Sequence, residues 1–248
     1  MSEVTLKGLV LPGVVVAVWG AAAAAGLLNG PMAVTPAAVL RVPFADPAGV
    51  EIWAGIGTSL LRLVTGGVIG GVLGLATGLA FGLLRPLRRT LSPTVDAFRQ
   101  IALFAWIPLL TSWFGNGEVA KIVFIALATF FPLVLSAEQG VRNVAPALRE
   151  AVQVMGLSRR RQVTALYLPA ALPSIAVGVQ IALISSWIGT VGAEYAIGNG
   201  RGLGSYIAAA REQFRMDITL VGVAALALVG VALHAGSARI IRHLNTGV

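Results

Sequence analysis

The chain has 248 residues, of which 57% are hydrophobic and only 11% charged, with a formal net charge of +8. A soluble domain carries about 25% charged residues, so too few charges exist here to clothe a soluble globule. No basic patch is interleaved with aromatics, so the positive balance reads as arginine in membrane loops and excludes a nucleic-acid surface. Cysteine is absent, which removes disulfides, thiolate metal sites and a thiol nucleophile.

The apolar residues fall in blocks of about 20, the length that crosses a hydrocarbon core. In lipid such blocks become helices, because the backbone must bond within the segment. The period-two alternation of a membrane barrel is missing. An all-α membrane protein of about six transmembrane helices follows. The first predicted span is 9–28, too long for the core of a signal peptide and expected to be retained. A Pro-rich stretch, 29–51, carries Pro31, Pro36, Pro43 and Pro47. The second span, 58–84, is glycine-rich, and Gly70, Gly74 and Gly78 lie four apart on one helix face. That spacing predicts a seam where another helix approaches closely.

Arg85, Arg88 and Arg89 follow in a short loop. The third span, 98–114, is interrupted by Pro108, and the fourth, 119–137, contains Pro132. The longest charged stretch, 138–168, comes next. The fifth span is 169–191, a mixed Gly-rich segment covers 192–217, and the sixth span is 218–241. If Lys7 lies inside, then Arg85, Arg88, Arg89, Arg142, Arg149, Arg159, Arg160, Arg161, Arg239 and Arg242 also lie inside. Arg41, Lys121, Arg201, Arg211 and Arg215 then lie outside. The Lys/Arg bias and the even number of spans agree in putting both termini in the cytoplasm.

The segment from Glu150 to Pro169 reads EAVQVMGLSRRRQVTALYLP. Residues 147–155 favour a short helix, Gly156 offers a left-handed stop, and Ser158 offers a cap for a further turn. Arg159, Arg160 and Arg161 suit the bilayer surface. Pro169 and Pro173 open the fifth span, where proline is tolerated in a first turn. A helix–Gly–helix element beneath the bilayer is either a docking surface for something cytosolic or an ordinary amphipathic loop. Composition alone does not separate the two.

Here the sequence resembles the permease subunits of ATP-binding-cassette importers, whose cytoplasmic loop is patterned E-A-A, three residues, G, nine residues, I, any residue, L-P. Glu150, Ala151, Gly156, Leu168 and Pro169 match at the same spacing, with Val152 for the second Ala and Leu166 for Ile. The resemblance covers most of the chain from about Trp53. Ser59-Leu60-Leu61-Arg62, Ile107-Pro108-Leu109, Trp113-Phe114-Gly115, Phe131-Pro132, Ala193-Glu194 and Gly202-Leu203-Gly204 look like the aliphatic-sulfonate, taurine and nitrate branch. The resemblance implies the type I importer fold, with residues 1–52 as an N-terminal helix and extracytoplasmic loop and 53–248 as the core transmembrane domain. It implies that Glu150, Ala151, Gly156, Leu166, Leu168 and Pro169 couple to an ATPase. Two permeases, a homodimer by expectation, would assemble with two ATPase subunits and an extracytoplasmic binding protein in the bacterial plasma membrane. A small anionic solute such as a sulfonate, taurine or nitrate would be moved by alternating access.

Candidate residues of the translocation pathway are Trp106, Ser185, Ser186, Trp187 and Glu194. A carboxylate near membrane depth points to function, and Glu194 suits gating or structure better than direct contact with an anion. Its alternative is a place in water or a pairing with Arg201 or Arg211. Arg62 is expected to snorkel to the outer interface, and Trp113 to join an aromatic belt. His234 and His243 have no nearby acid, so no metal site is expected. No GxxxxGK[ST] phosphate loop occurs in the sequence. The chain is therefore expected to be no enzyme and to hold no cofactor, with ATP and Mg bound by the partner. A secondary transporter would need broken helices or ionisable groups at the midplane. A membrane enzyme would need clustered His, Asp or Glu at one depth.

Overall fold

The computed structural model describes residues 2–27, 34–198 and 200–245, with side chains for all of these except 2–9, 240 and 242–245. Among the described residues every regular element is helical. The first helix, α1 (Ser2–Ala24), starts well before the predicted span. Residue 28, its expected end, and Pro31 lie outside the described residues. The Pro-rich stretch is largely helix. Pro36 opens α2 (Pro36–Ala45), where the Thr35 hydroxyl accepts the Ala38 N–H at 3.2 Å. Pro47 opens α3 (Pro47–Leu83), whose cap is the Asp46 carboxylate, accepting the Ala48 N–H at 2.9 Å. Proline suits these first turns because its missing N–H has no helical partner there. At 37 residues, α3 is about 55 Å long. It is therefore longer than a hydrocarbon core of about 30 Å is thick.

The third predicted span is not one helix. Arg85–Gln100 forms α4, a strongly amphipathic helix. Ile101 and Ala102 are extended, a 3-10 turn covers Leu103–Trp106, and α5 (Ile107–Phe114) follows. The break precedes Pro108, which sits harmlessly in the first turn of α5. Then α6 (Glu118–Arg142) spans 25 residues. The cytoplasm-assigned loop holds α7 (Pro146–Val154) and α8 (Arg159–Gln162). From α8 the helix runs on without a turn, through a π-helical stretch at Val163–Tyr167, into α9 (Leu168–Ile197). The π-bulge has a local cause. Pro169 has no N–H for the Ala165 carbonyl and its ring crowds that position, so the helix widens just ahead of it. Two further helices, α10 (Leu203–Glu212) and α11 (Met216–Asn245), complete the described residues.

Four stretches are long and apolar enough to cross a membrane: α3, α6, the run Arg159–Ile197, and Met216–Arg239. The shorter apolar helices are Val10–Ala24, α2 and Leu103–Phe114. The centre of the bundle is a three-helix sheaf. Here α3 and α6 run parallel, with Gly66, Gly70, Gly74, Gly78 and Gly82 laid against successive turns of α6 from Ile122 to Val141. A methyl group at Gly70 would collide with the Ala126 carbonyl oxygen, so the seam predicted from Gly70, Gly74 and Gly78 is real and two turns longer. Without a hydrophobic force between helices in lipid, such close approach supplies the association through dispersion. Antiparallel to α6 lies α9, with Gly140 against Ala171, Gly178 against Ser136 and Gly189 against Ala128. The face of α3 opposite the seam exposes Leu61, Val64, Val68 and Val72, a stripe at helical spacing suited to lipid. A second apolar core gathers Val42, Leu63, Trp187, Leu203 and Val221 from α2, α3, α9, α10 and α11.

Candidate functional site

Parallel packing of α3 and α6, with α9 antiparallel, brings the first turns of α6, the early part of α3 and the last turn of α9 to one end of the bundle. There the apolar sequence places its rare charges. Ser59 and Arg62 share a face of α3, and Glu118 and Lys121 share the first turn of α6, because residues three apart are helical neighbours. The Arg62 guanidinium donates through Nε to Glu118 Oε2 at 2.6 Å and through Nη2 to Glu118 Oε1 at 2.5 Å. Its Nη1 donates to Glu194 Oε1 at 2.7 Å and to the Arg201 carbonyl at 2.5 Å. The planar fork thus links α3, α6, α9 and the loop after α9. Such bidentate, charge-assisted bonds are the strong ones. Lys121 Nζ lies 3.8 Å from Glu118 Oε1.

Glu194 is completely buried, and each of its oxygens has a partner. The Ser59 hydroxyl stands 2.9 and 2.8 Å from its two oxygens, donating to the carboxylate while accepting the Leu203 N–H at 2.9 Å. The Gly204 N–H donates to Oε2 at 2.9 Å. Gly202 is required here: its φ is +154°, and a Cβ would overlap the Glu194 carboxyl carbon. The backbone of the 200–204 loop therefore lies directly on the carboxylate. Two positive and two negative side chains balance within the cluster. A lone buried charge is prohibitive, and a buried pair persists when its remaining hydrogen bonds are filled.

This geometry corrects two expectations. Arg62 does not snorkel to an interface, because it is 5% exposed and held by two carboxylates. Glu194 does not pair with the side chain of Arg201 or Arg211. Arg201 lends only its carbonyl, to Arg62, and Arg211 donates to the Tyr195 hydroxyl at 2.7 Å. The signal is present in the sequence as two opposite charges, one inside an apolar span and one just past the end of another. Each would be intolerable alone, which marks them as partners.

A second ion cluster ties the same end. Arg215 Nη2 donates to Asp46 Oδ2 and to Asp217 Oδ2, both at 2.7 Å, and its Nε reaches Asp217 Oδ1 at 3.0 Å. Asp46 so joins the α2–α3 corner to the start of α11 while capping α3. The Arg215 guanidinium, with help from the Ala48 N–H, holds the Asp46 carboxyl below its ordinary value of 3.8. Bonds to Asp217 and Asp46 raise the Arg215 pKa. No sequence signal points to the Asp46–Arg215 pair, since it joins residues 169 positions apart.

At the opposite end lies the loop singled out in the sequence. The short helix α7 stops at Gly156 in the left-handed region, φ +62°. Gly156 N–H bonds to the Gln153 carbonyl at 3.0 Å and Leu157 N–H to the Val152 carbonyl at 3.5 Å, the paired pattern of a Schellman stop. The expected stop is therefore made. Ser158 stands at the N-cap of α8 but its side chain makes no cap bond. Val154 is 88% exposed, and Leu148 and Met155 are exposed beside it. Glu150 and Ala151 lie exposed on α7. Leu166, Leu168 and Pro169 stand at the root of the continuous helix that becomes α9, so Pro169 does not open a new helix as expected. Arg149 of α7 donates to the carbonyl of Arg142, anchoring α7 to the end of α6.

The remaining candidates are dispersed. Trp106 meets Phe98 edge-on at 5.8 Å, and its Nε1 is buried without a hydrogen-bond partner. Ser185 is half-buried. The buried Ser186 hydroxyl donates to the Leu183 carbonyl at 3.0 Å, a bond inside its own helix. Trp187 packs in the second apolar core and faces Gly230 of α11. Trp113 is exposed beside the end of α5. These residues are not brought to Glu194. No group of three or more His, Cys, Asp or Glu suited to a metal occurs among the described residues. The side chain of His243 lies outside them.

A sheaf of long apolar helices, tied at one end by buried ions and carrying an exposed amphipathic loop at the other, defines a multi-pass helical membrane protein. Residues 66–248 match the family profile described as binding-protein-dependent transport system inner membrane component. The chain belongs to that family. It is 37% identical over 220 residues to the aliphatic sulfonates transport permease protein SsuC of Escherichia coli, covering 89% of this chain and 83% of that one. It is 33% identical over 237 residues to the taurine transport system permease protein TauC of E. coli, covering 94% and 86%. The bicarbonate transport system permease protein CmpB of Synechococcus elongatus is 29% identical over 198 residues, covering 79% and 71%. In fold, the chain matches an inward-facing structure of the MetNI methionine ABC transporter at a TM-score of 0.70 and 24% identity. That match covers 81% of this chain and 99% of the other. The fold is that of a type I importer permease.

Proposed function

We propose that this chain forms the solute path of an ATP-driven importer, takes up a small sulfonate-class anion, and couples through α7 to a separate ATPase. The observation that carries the coupling is the α7 surface itself. Leu148, Val154 and Met155 lie uncovered on a helix that Gly156 ends at the foot of α9. Apolar side chains outside the spanning segments favour cover by a protein. In this reading α7 seats in the ATPase, and the continuous helix that follows it, from Arg159 to Ile197, carries movement across the bundle in alternating access. The arginine-rich end, with both termini, faces the cytoplasm. A binding protein delivers solute at the end holding Glu194, where a cavity of about 500 Å³ opens among Tyr195, Arg211, Phe214 and Met216. The complex has two permease copies, two ATPases that bind ATP and Mg, and one binding protein, in the bacterial plasma membrane.

The names of SsuC and TauC support the substrate class, and the balanced charge of the cluster leaves Glu194 engaged by this chain and not by solute. The test joins two measurements. Gly156→Asp and Glu150→Ala are assayed for retention of the cognate ATPase and for uptake of taurine, an alkanesulfonate and bicarbonate in cells. Both variants should insert normally and lose coupling. Normal ATPase retention and uptake in both would remove the docking role. Bicarbonate uptake without sulfonate uptake would remove the substrate class.

A further inference from the structure

The fold joins two basic segments far apart in sequence. Arg159 Nη2 donates to the Leu83 carbonyl at 3.4 Å, bringing the first turn of α8 to the elbow where α3 ends and α4 begins. Arg85, Arg88 and Arg89 lie on the first turns of α4, and Arg160 and Arg161 share the turn of α8 with Arg159. Of these six arginines only Arg88 is half-buried, and the rest are exposed. Among the described residues none of the six forms an ion pair. The same elbow is apolar at its edge. Leu84, Leu91 and Phe98 are exposed, and Leu87, Leu91, Val95 and Phe98 recur along α4 at helical spacing. A mostly polar helix with a basic face and an apolar stripe lies in the headgroup plane of a bilayer.

We propose that the α3–α4 elbow and α8 together form a binding surface for the phosphodiester headgroups of anionic phospholipids. Among the described residues the charge has no protein counter-ion. Its depth is fixed by the apolar end of α3, where the ligands at hand are lipid phosphates. The positive charge of the arginines carries the attraction, because an anionic headgroup layer draws basic side chains to the bilayer surface. The surface is composite, so neither arginine segment suffices. Its occupancy fixes α4, the polar half of the broken third crossing, against the membrane.

The experiment uses the full chain in vesicles of equimolar phosphatidylglycerol and phosphatidylcholine, extracted in non-ionic detergent. The lipid that stays bound is measured by mass spectrometry. The unaltered chain should retain phosphatidylglycerol several-fold over phosphatidylcholine. Both R85Q/R88Q/R89Q and R160Q/R161Q should return to the bulk ratio, whereas R41Q/R211Q, at the other end, should not. The corresponding Lys variants should keep the enrichment, which separates charge from misfolding. Enrichment that survives either Gln variant, or that fails in the Lys variants, overturns the proposal. Displacement of the lipid by soluble glycerol 3-phosphate would reveal a free-phosphate site and overturn the lipid assignment. Loss of the cognate ATPase from the Gln variants with lipid retention unchanged would assign the surface to protein docking.

Discussion

Arg62 on α3 and Glu194 on α9, 132 positions apart, meet at 2.7 Å inside an otherwise apolar bundle. Around that bond the hydroxyl of Ser59 and the N–H of Gly204 complete the coordination of Glu194, the carboxylate of Glu118 that of Arg62, and the Leu203 N–H holds the Ser59 hydroxyl in place. The arrangement fastens three helices and a glycine loop at one end. At the other end of the sheaf, among the described residues, no ion pair joins one helix to another.

Removing Arg62 strands the buried Glu194 carboxylate, whereas removing Glu194 leaves Arg62 its two bonds to Glu118. Arg62→Leu should lower stability by roughly 3–5 kcal/mol, and Glu194→Leu by less. The double variant should lose distinctly less than the sum, since neither charge is then orphaned. Thermal unfolding of the purified chain in detergent measures this. Additive losses would mean the pair contributes no coupling.

The glycine seam yields a contrast within one helix. Gly70→Val drives its side chain into the Ala126 carbonyl, while nothing lies within 4 Å of a Cβ at Gly67. The first variant should misassemble or degrade and Gly67→Val should accumulate normally. Comparable yields in membranes would show that α3 and α6 do not pack this closely.

Asp46 gives the pH dependence a sign. Arg215 depresses its carboxyl below 3.8 in the folded chain. The Asp46–Arg215 bond therefore contributes fully above that ordinary value and is lost as pH falls through the lower folded value. Stability of the unaltered chain should drop in that acid window. Asp46→Asn keeps a capping oxygen but no charge, so it should show a smaller drop. Unfolding midpoints measured across the acid range decide it, and identical profiles would deny Asp46 a role.

Topology is testable in the cysteine-free background. With both termini cytoplasmic, a cysteine replacing Asn245 should resist an impermeant thiol reagent in intact cells and one replacing Pro43 should react. The reverse pattern would put α7 on the side without ATP.

The sequence by itself determined the helices and their apolar seams. In lipid each backbone group must bond within its own segment, so hydropathy and length decide the spans locally. Gly70, Gly74 and Gly78 likewise announce a close contact by spacing alone, and Gly156 announces a stop. The loop pattern from Glu150 to Pro169 carries the resemblance to the family to which the chain belongs. Other features depend on which helix faces meet. The break at Ile101–Ala102 has no proline to mark it. Arg62 reads as an interface residue because a long side chain in a span has two solutions, snorkelling or an internal partner. Only the parallel register of α3 and α6, with α9 antiparallel beside them, puts Glu118 and Glu194 within reach and makes the internal solution the lower in free energy.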